Sequence, residues 1–254
     1  MPHVYFIGAG PGDPEHLTLK GARLLAACAT VFAPTPFEQT FTGLLGGKTV
    51  LSPFDFYFQQ LLEKVETLRR QEDVAFLVPG DLTFYSPFQG LIDALGERAM
   101  VIPGVGTANA AAAYLKKTLD LPKICSRTVI TSPRTLAETP HAPTLGQLAA
   151  PGVTLLIYMN HLPLAELVAQ LRQGYGKSVP IAILHRLGLP GQEVVTGSFD
   201  DIVARVGERD FFGLADPAKR PALTLVITGE SLDATIDGSW WDWRRENVWT
   251  FRND

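Results

Sequence analysis

The residues best suited to chemistry in this 254-residue sequence lie in three glycine-containing segments, at residues 7–13, 79–86 and 103–107. Each segment follows a short apolar run and precedes a stretch with helical character, which predicts a strand, a loop and a helix each time. In open α/β sheets such loops gather at the carboxyl ends of the strands, where ligands bind. Three of them at one edge therefore predict a single binding site for a small molecule.

The first loop, with the sequence IGAGPGD at residues 7–13, does not fit the pattern that binds dinucleotides. That pattern, G-x-G-x-x-G, needs a third glycine where this chain has Asp13. Pro11 removes a backbone N–H group, and the Asp13 carboxylate adds a negative charge where phosphates would lie. The loop suits a cationic or neutral ligand such as S-adenosylmethionine, which has a sulfonium and no phosphate. A tight strand-to-helix turn without any ligand explains the loop equally well.

Methyl transfer from a sulfonium is an in-line displacement that requires alignment of the reactants and exclusion of water. In the second loop, the Asp81 carboxylate could offset the positive charge of such a cofactor or hold a loop amide. Capping of the following helix is an equally good role for it. The histidines and the cysteines lack metal-ligand spacing. The sequence therefore predicts no metal site, and it identifies no general base.

Composition narrows the class of protein. Hydrophobic residues make up 46% of the chain and charged residues 19%, which is enough apolar material for a folded core. The formal net charge is −4, so nothing global indicates a nucleic-acid partner. Cys28 and Cys125 are far apart in sequence and are expected to be free thiols in a reducing compartment. With no signal peptide or membrane-spanning run in the sequence, the expected location is the cytoplasm.

Apolar periodicity predicts the elements that must position these loops. In the first half, we expect strands at residues 4–7, 30–33, 74–78 and 100–102. We expect helices directly after the first loop and at residues 61–70, 88–95 and 109–119. The run at 74–78 is apolar throughout, as in strands that are buried on both faces of a parallel sheet.

A second set of elements follows residues 120–123, which mark the expected boundary between domains 1–119 and 120–254. We expect strands at residues 128–132, 154–159, 180–185, 192–197 and 223–228. We expect helices at residues 144–150, 164–172 and 200–206, and none in the proline-rich segment 133–143. The predicted fold class is α/β, with two α/β domains.

Five motifs, at residues 4–14, 79–81, 102–105, 157–159 and 222–226, occur in a characteristic order and spacing. In these motifs the sequence resembles the tetrapyrrole methylases, the two-domain S-adenosylmethionine-dependent enzymes of cobalamin and sirohaem synthesis. The resemblance covers residues 4–229. It implies that the cofactor lies in a cleft between the two domains and is held largely by backbone groups.

The resemblance also implies which positions hold the cofactor. They are Pro11, Gly80, Asp81, Leu82, Phe84, Gly106, Thr107, Tyr158, Met159, Leu187, Ala222 and Thr224. One of them departs from the pattern, because the family usually has a proline where this chain has Leu82.

Within the family, residues 121–131 and 174–186 are most similar to the branch that methylates precorrin-4 at C11. Residues 31–34 and 84–88 also resemble the branch that methylates precorrin-2 at C20. Pro34 stands where the uroporphyrinogen-III branch has an aspartate, which counts against that activity. A same-fold methylase with another acceptor, and a module that binds tetrapyrrole or cofactor without turnover, stay open as alternatives.

The acceptor implied by the resemblance is a tetrapyrrole with many carboxylates, which arginine binds as a bidentate fork. Arg127, Arg134 and Arg186 as a group are the candidate contacts, although for any one of them alone a solvated surface charge is the better explanation. The tail carries all four tryptophans, at residues 240, 241, 243 and 249. We expect these rings to pack against the second domain or a partner, and the family resemblance and the tail together predict a homodimer.

Overall fold

A computed structural model, which describes residues 2–216 and 222–249, contains two five-stranded sheets, one in each half of the chain. The strands of the first sheet are β1 (Val4–Gly8), β2 (Thr30–Phe32), β3 (Thr49–Leu51), β4 (Val74–Val78) and β5 (Ala99–Ile102). They lie in the order β3-β2-β4-β1-β5, and every pair is parallel. All five carboxyl ends therefore lie at one edge of the sheet.

The uniformly apolar strand β4 confirms the predicted burial on both faces. Phe76 and Val78 join a core cluster that includes residues of the later helices, whereas Ala75 and Leu77 face the opposite cluster. The helices of this half are α1 (Leu19–Ala27), α2 (Phe37–Thr40), α3 (Thr42–Leu45), α4 (Phe58–Arg69), α5 (Gln89–Leu95) and α6 (Thr107–Leu115). A parallel sheet needs this double cover because strands without polar residues cannot face water.

Two local predictions for the first half are wrong. Helix α6 spans residues 107–115 instead of the predicted 109–119. It ends early because Lys116 adopts a left-handed conformation with φ of 55°. Glycine is the usual residue at such a position, so a lysine gives no sequence signal for the helix end. Strand β3 and the short helices α2 and α3 were not predicted, because segments of three or four residues are too short to show a period.

The second sheet contains β6 (Arg127–Thr131), β7 (Val153–Tyr158), β8 (Pro180–His185), β9 (Glu193–Ser198) and β10 (Thr224–Thr228). Their order is β6-β7-β10-β8-β9. Strand β10 is antiparallel to both of its neighbours, and only the pair β6 and β7 is parallel. The expected strands are therefore confirmed, but the sheet is mixed.

The helices of the second half are α7 (Pro133–Glu138), α8 (Leu145–Leu148), α9 (Leu164–Tyr175) and α10 (Ile202–Val206). Helix α7 lies in the segment for which no helix was expected. Its start does have a sequence signal, because Ser132 accepts a hydrogen bond from the Thr135 N–H and Pro133 occupies the first turn.

Helix α6 connects the two halves. Its buried residues Ala108, Ala110 and Ala111 share a core cluster with Leu156 and Leu225 of the second sheet. Alanine side chains allow a helix to approach a sheet closely, so α6 packs on the second sheet although it follows the last strand of the first. The domain boundary after residue 119 stays a prediction.

The tail forms a final helix, α11 (Gly238–Arg244), in which no residue is buried. Trp241 and Trp243 are 59% and 56% exposed, and the Arg244 guanidinium lies 4.5 Å from the Trp240 ring. No residue of α11 is buried in the single chain, so packing of the tail against the second domain or a partner stays a prediction. Its apolar rings find partners mainly within the tail itself, as in the pair Trp241 and Trp249.

Two whole-chain features complete the fold. Cys28 and Cys125 are both buried and free, which confirms that they form no disulfide. No helix among the described residues combines the length and apolar character that a membrane span requires.

Candidate cofactor and substrate cavity

The three glycine loops meet at the carboxyl edge of the first sheet, as their spacing predicted. Gly10 N donates to Gly80 O at 3.0 Å, and Gly80 N donates to Gly10 O at 2.7 Å, which joins the first loop to the second. A Cβ on Gly104 would lie 2.5 Å from the carbonyl carbon of Gly8, so the third loop touches the first backbone to backbone. Glycine is required at this contact because any side chain would separate the loops.

The first loop packs against the second half of the chain. A Cβ on Gly12 would lie 2.4 Å from Leu189 Cδ2, and one on Gly188 would lie 3.0 Å from Asp13 N. The Asp13 carboxylate accepts a hydrogen bond from Glu15 N at 2.9 Å and so caps a short helical turn. Most of the first loop therefore packs between the two halves of the chain. Pro11 is the residue of this loop that lines the cavity.

The second loop is held by its own carboxylate. Asp81 Oδ1 accepts from Thr83 N at 2.6 Å, and Asp81 Oδ2 accepts from Gly104 N at 3.2 Å. Burial by itself would raise the pKa of Asp81, but the hydrogen bonds from Thr83 and Gly104 outweigh it and lower the pKa. Of the roles that the sequence left open, holding a loop amide is confirmed, and no helix is capped.

A cavity of about 350 Å³ opens between the two sheets at these loops. Its wall is mostly apolar, and both halves of the chain contribute to it. The lining residues are Pro11, Phe37, Pro79, Gly80, Asp81, Phe84, Tyr85, Gly106, Thr107, Arg134, Tyr158, Met159, Asn160, His161, Leu187, Phe212, Ala222, Leu223, Thr224 and Leu225.

The residues implied for the cofactor lie together in this wall, with Leu82 as the exception. Leu82 does not line the cavity; its side chain packs against the core cluster that contains Phe76 and Phe88. The residues of this set that do line it are Pro11, Gly80, Asp81, Phe84, Gly106, Thr107, Tyr158, Met159, Leu187, Ala222 and Thr224.

The three candidate arginines do not lie together. Arg134, in the first turn of α7, lines the cavity, and its Nε lies 3.3 Å from Glu138 Oε1. Arg127 begins β6, so the strand, at about 3.3 Å per residue, separates it from the cavity edge. Arg186 follows β8 and donates from Nε to Pro190 O at 2.8 Å, which ties it to its own loop. The expected group of three arginines is thus reduced to one at the cavity.

The end of β7 contributes two side chains to the wall, Tyr158 as its last residue and Met159 directly after it. The Tyr158 ring lies 5.6 Å from the Tyr85 ring, and burial raises the pKa of Tyr158 to about 12. Burial also raises the pKa of Tyr85. Met159 has φ of 47°, which is an unusual backbone conformation for a non-glycine residue, and its side chain is 42% exposed. The chain turns here, and Met159 faces the cavity instead of the core.

The opposite wall is fixed by Thr224 at the start of β10. Its hydroxyl donates to Phe211 O, and His185 Nδ1 lies 2.7 Å from the Thr224 hydroxyl oxygen. Because the hydroxyl has one proton, which it donates to the carbonyl, we assign the proton of this contact to His185 Nδ1. Burial and, secondarily, the charge of Arg186 lower the pKa of His185.

Several lining residues were not in the predicted set. Phe37 and Phe212 come from opposite halves, are both buried, and carry no local motif that could have identified them. Tyr85, Asn160 and His161 are sequence neighbours of predicted residues, so proximity to the motifs was the available signal. The remaining ones are Pro79, Leu223 and Leu225.

The chemistry of the cavity follows from this lining. Asp81 and Arg134 are its charged members, and His161 is its imidazole. The described residues include no cluster of histidine, cysteine or carboxylate side chains that could hold a metal ion. Exposed glycine backbone, aromatic rings and few charges suit a largely apolar ligand that is recognised through main-chain groups.

Comparison with known proteins agrees with these features. The profile of the family described as Tetrapyrrole (Corrin/Porphyrin) Methylases matches residues 3–203. A protein of Pseudomonas aeruginosa named precorrin-4 C(11)-methyltransferase is 34% identical over 236 residues, which cover 91% of this chain and 91% of that protein.

Solved structures share the fold at lower identity. The structure of a cobalamin biosynthetic enzyme, cobalt precorrin-4 methyltransferase, has a TM-score of 0.73 at 20% identity and covers 91% of this chain and 96% of that one. A uroporphyrin-III C-methyl transferase from Thermus thermophilus, complexed with S-adenyl homocysteine, has a TM-score of 0.65 at 24% identity, with coverage of 91% and 98%.

Proposed function

The chain belongs to the tetrapyrrole methylase family, and from this premise we propose that it transfers the methyl group of S-adenosylmethionine to C11 of precorrin-4 in cobalamin biosynthesis. The observation that carries the proposal is the 34% identity to the Pseudomonas aeruginosa enzyme over 91% of both chains. Likeness over nearly the full length includes both walls of the cavity, so it extends to the parts that bind cofactor and acceptor.

The cavity fits S-adenosylmethionine, which when bound supplies a methyl group activated by the sulfonium. Gly80 has φ of 68°, and a Cβ there would lie 3.3 Å from Thr107 Oγ1. A Cβ on Gly106 would lie 3.1 Å from Asn109 Oδ1. These positions lack a side chain where a ligand would approach the backbone. The described residues of the wall include one cation, Arg134, and no cluster of cations that would attract phosphate. We assign the cofactor to the lining residues of the predicted set, and retain Leu82 only through its backbone.

We assign recognition of the acceptor to the exposed part of the cavity wall that contains Arg134. Arg134 is its lining arginine, and both it and its partner Glu138 are largely exposed, so the pair contributes little to stability. A tetrapyrrole carboxylate can replace Glu138 on Arg134 without uncovering a buried charge. We therefore propose Arg134 as a substrate contact, and we give Arg127 and Arg186 no direct role.

We also propose a homodimer and a cytoplasmic location. The family resemblance and the exposed rings Trp241 and Trp243 support the dimer, since exposed aromatic patches are commonly covered by partners. Light scattering at micromolar concentration measures the mass, and a monomer would contradict the proposal. The location, and the expectation of no nucleic-acid partner, rest on composition and stay predictions.

Mass spectrometry of the acceptor tests the function. Incubation with S-adenosylmethionine and precorrin-4 should add one methyl group, which NMR of the product should place at C11. Cobalt-precorrin-4, precorrin-2 and uroporphyrinogen III are the matched alternative acceptors. Methylation of precorrin-2 alone would move the chain to the C20 branch.

A titration with S-adenosylhomocysteine separates the remaining alternatives. Binding without methylation of any of these acceptors would leave a non-enzymatic binding module. Binding of NAD in its place would contradict the assignment of the cofactor.

A further inference from the structure

We infer that His161 accepts the proton that the tetrapyrrole releases when its ring carbon is methylated. The inference rests on the proposed function and deepens it, because it names a catalytic residue for a site in which the sequence identified none. It is carried by the position of His161 in the cavity wall and by the state of every other ionisable group there.

A proton must leave for the reaction to balance. The ring carbon uses the electron pair of its conjugated double bond to form the new carbon–carbon bond, and the S–C bond of the donor breaks with its electrons left on sulfur. The sulfonium charge thus passes to the conjugated ring nitrogen. That nitrogen returns to neutrality by giving up its proton, which a base in the cavity can accept.

Among the described residues that line the cavity, the other ionisable groups cannot take this proton near neutral pH. Arg134 is permanently charged, and the raised pKa values keep Tyr85 and Tyr158 protonated. Asp81 already accepts from Thr83 and Gly104 through its two oxygens, and its lowered pKa makes it a weak base. Among the described lining residues, His161 is the remaining one whose side chain can act as a general base.

The turn that follows β7 holds His161 in place. Asn160 is 7% exposed and uses its whole amide locally, since Nδ2 donates to Leu162 O at 2.7 Å and Oδ1 accepts from Leu162 N at 3.3 Å. The turn therefore fixes the backbone on both sides of His161. The imidazole lines the cavity and is exposed as well, so it can pass the proton on to water.

The His185 imidazole also lies near the site. His185 contacts the cavity residue Thr224 from outside the wall and has a lowered pKa, so its titration falls on the acidic side of an ordinary histidine. Its Nδ1 is engaged by Thr224, and it does not line the cavity.

The test is the pH dependence of a single turnover with precorrin-4, comparing wild type with His161→Asn and with His141→Asn as the matched control. His141 is exposed, lies outside the cavity and has φ of 59°, which asparagine tolerates. We expect His161→Asn to slow methyl transfer about 100-fold at neutral pH, the usual scale for loss of a general base. The pH profile of the rate should differ between wild type and His161→Asn but not between wild type and His141→Asn, and added imidazole should restore part of the rate in His161→Asn. Affinity for S-adenosylhomocysteine should not change.

Two failures are distinguishable. A wild-type protein that binds S-adenosylhomocysteine but methylates no precorrin overturns the proposed function, and the inference with it. An active wild type whose rate and pH profile are unchanged in His161→Asn overturns the inference alone. A slow variant with the wild-type pH profile and no rescue by imidazole also overturns it, because it would show a structural role.

Discussion

Two glycine–aspartate pairs, Gly12-Asp13 and Gly80-Asp81, follow neighbouring strands of one sheet and have different surroundings. The first is covered by Leu189 of the second half, and its carboxylate caps a local turn. The second borders the cavity, and its carboxylate ties two loops together. The comparison shows that a glycine loop becomes a joint or a binding wall according to what the rest of the fold places opposite it.

The first loop should be the more sensitive of the two in stability. In Gly8→Ala the new Cβ would lie 2.5 Å from Gly104 N, a backbone atom that cannot move without displacing the third loop. We expect a loss of about 3 kcal/mol in the free energy of unfolding, measured by urea denaturation. Gly43→Ala is the control, since nothing lies within 4 Å of its Cβ and it should stay within about 1 kcal/mol of wild type. Equal urea midpoints for the two variants would contradict the close contact.

The second loop should be the more sensitive in cofactor affinity. Asp81→Ala removes the acceptor of both loop amides, so the backbone that borders the cavity loses its fixed position. We expect the dissociation constant of S-adenosylhomocysteine to rise at least tenfold, about 1.4 kcal/mol, in a folded protein. Asp13→Ala should leave this constant unchanged. If both variants bind alike in isothermal titration, the two loops do not differ as the structure indicates.

Two arginines at opposite ends of β6 extend the comparison, because Arg134 lines the cavity and Arg127 does not. Arg134→Gln should raise the dissociation constant for precorrin-4 about fivefold, roughly 1 kcal/mol for an exposed charge-assisted contact. Arg127→Gln should have no effect, and neither variant should change cofactor binding. Added salt should weaken precorrin-4 binding more in wild type than in Arg134→Gln, because screening acts on the charge that was removed. A salt response identical in all three proteins would exclude Arg134 from the acceptor site.

The smallest expected effect is the acid sensitivity of the second loop. The folded pKa of Asp81 is lowered, so its contribution to stability is fully present above the unfolded value of 3.8 and is lost as the pH falls through the folded pKa. Wild type should therefore lose stability more steeply than Asp81→Asn below about pH 4. Above that pH the two denaturation curves should run parallel. Thermal melts across this range measure the difference, and equal slopes would mean that the two amides do not favour the charged form.

The sequence by itself determined most of the strands, the longer helices and the edge of the first sheet at which the cavity forms. Continuous apolar runs such as residues 74–78 specify buried strands, and a glycine loop after a parallel strand is placed at the carboxyl edge by connectivity alone. The family motifs then indicated the residues of the cofactor wall, because these residues lie in or next to the strand ends. Such information is local, so it is readable without knowledge of the packing.

The tertiary structure alone decided which residues face one another across the two halves. Arg127 begins β6 and Arg134 follows the end of that strand, and the direction of the strand decides which of the two lies at the cavity. Leu82, one of the predicted binding residues, packs into the core, and Phe37 and Phe212 from opposite halves line one cavity without any shared motif. The position of His161 depends on the Asn160 turn and on the sheet opposite it. These relations come from packing between distant segments, and a local pattern cannot encode them because the partner lies far away in the chain.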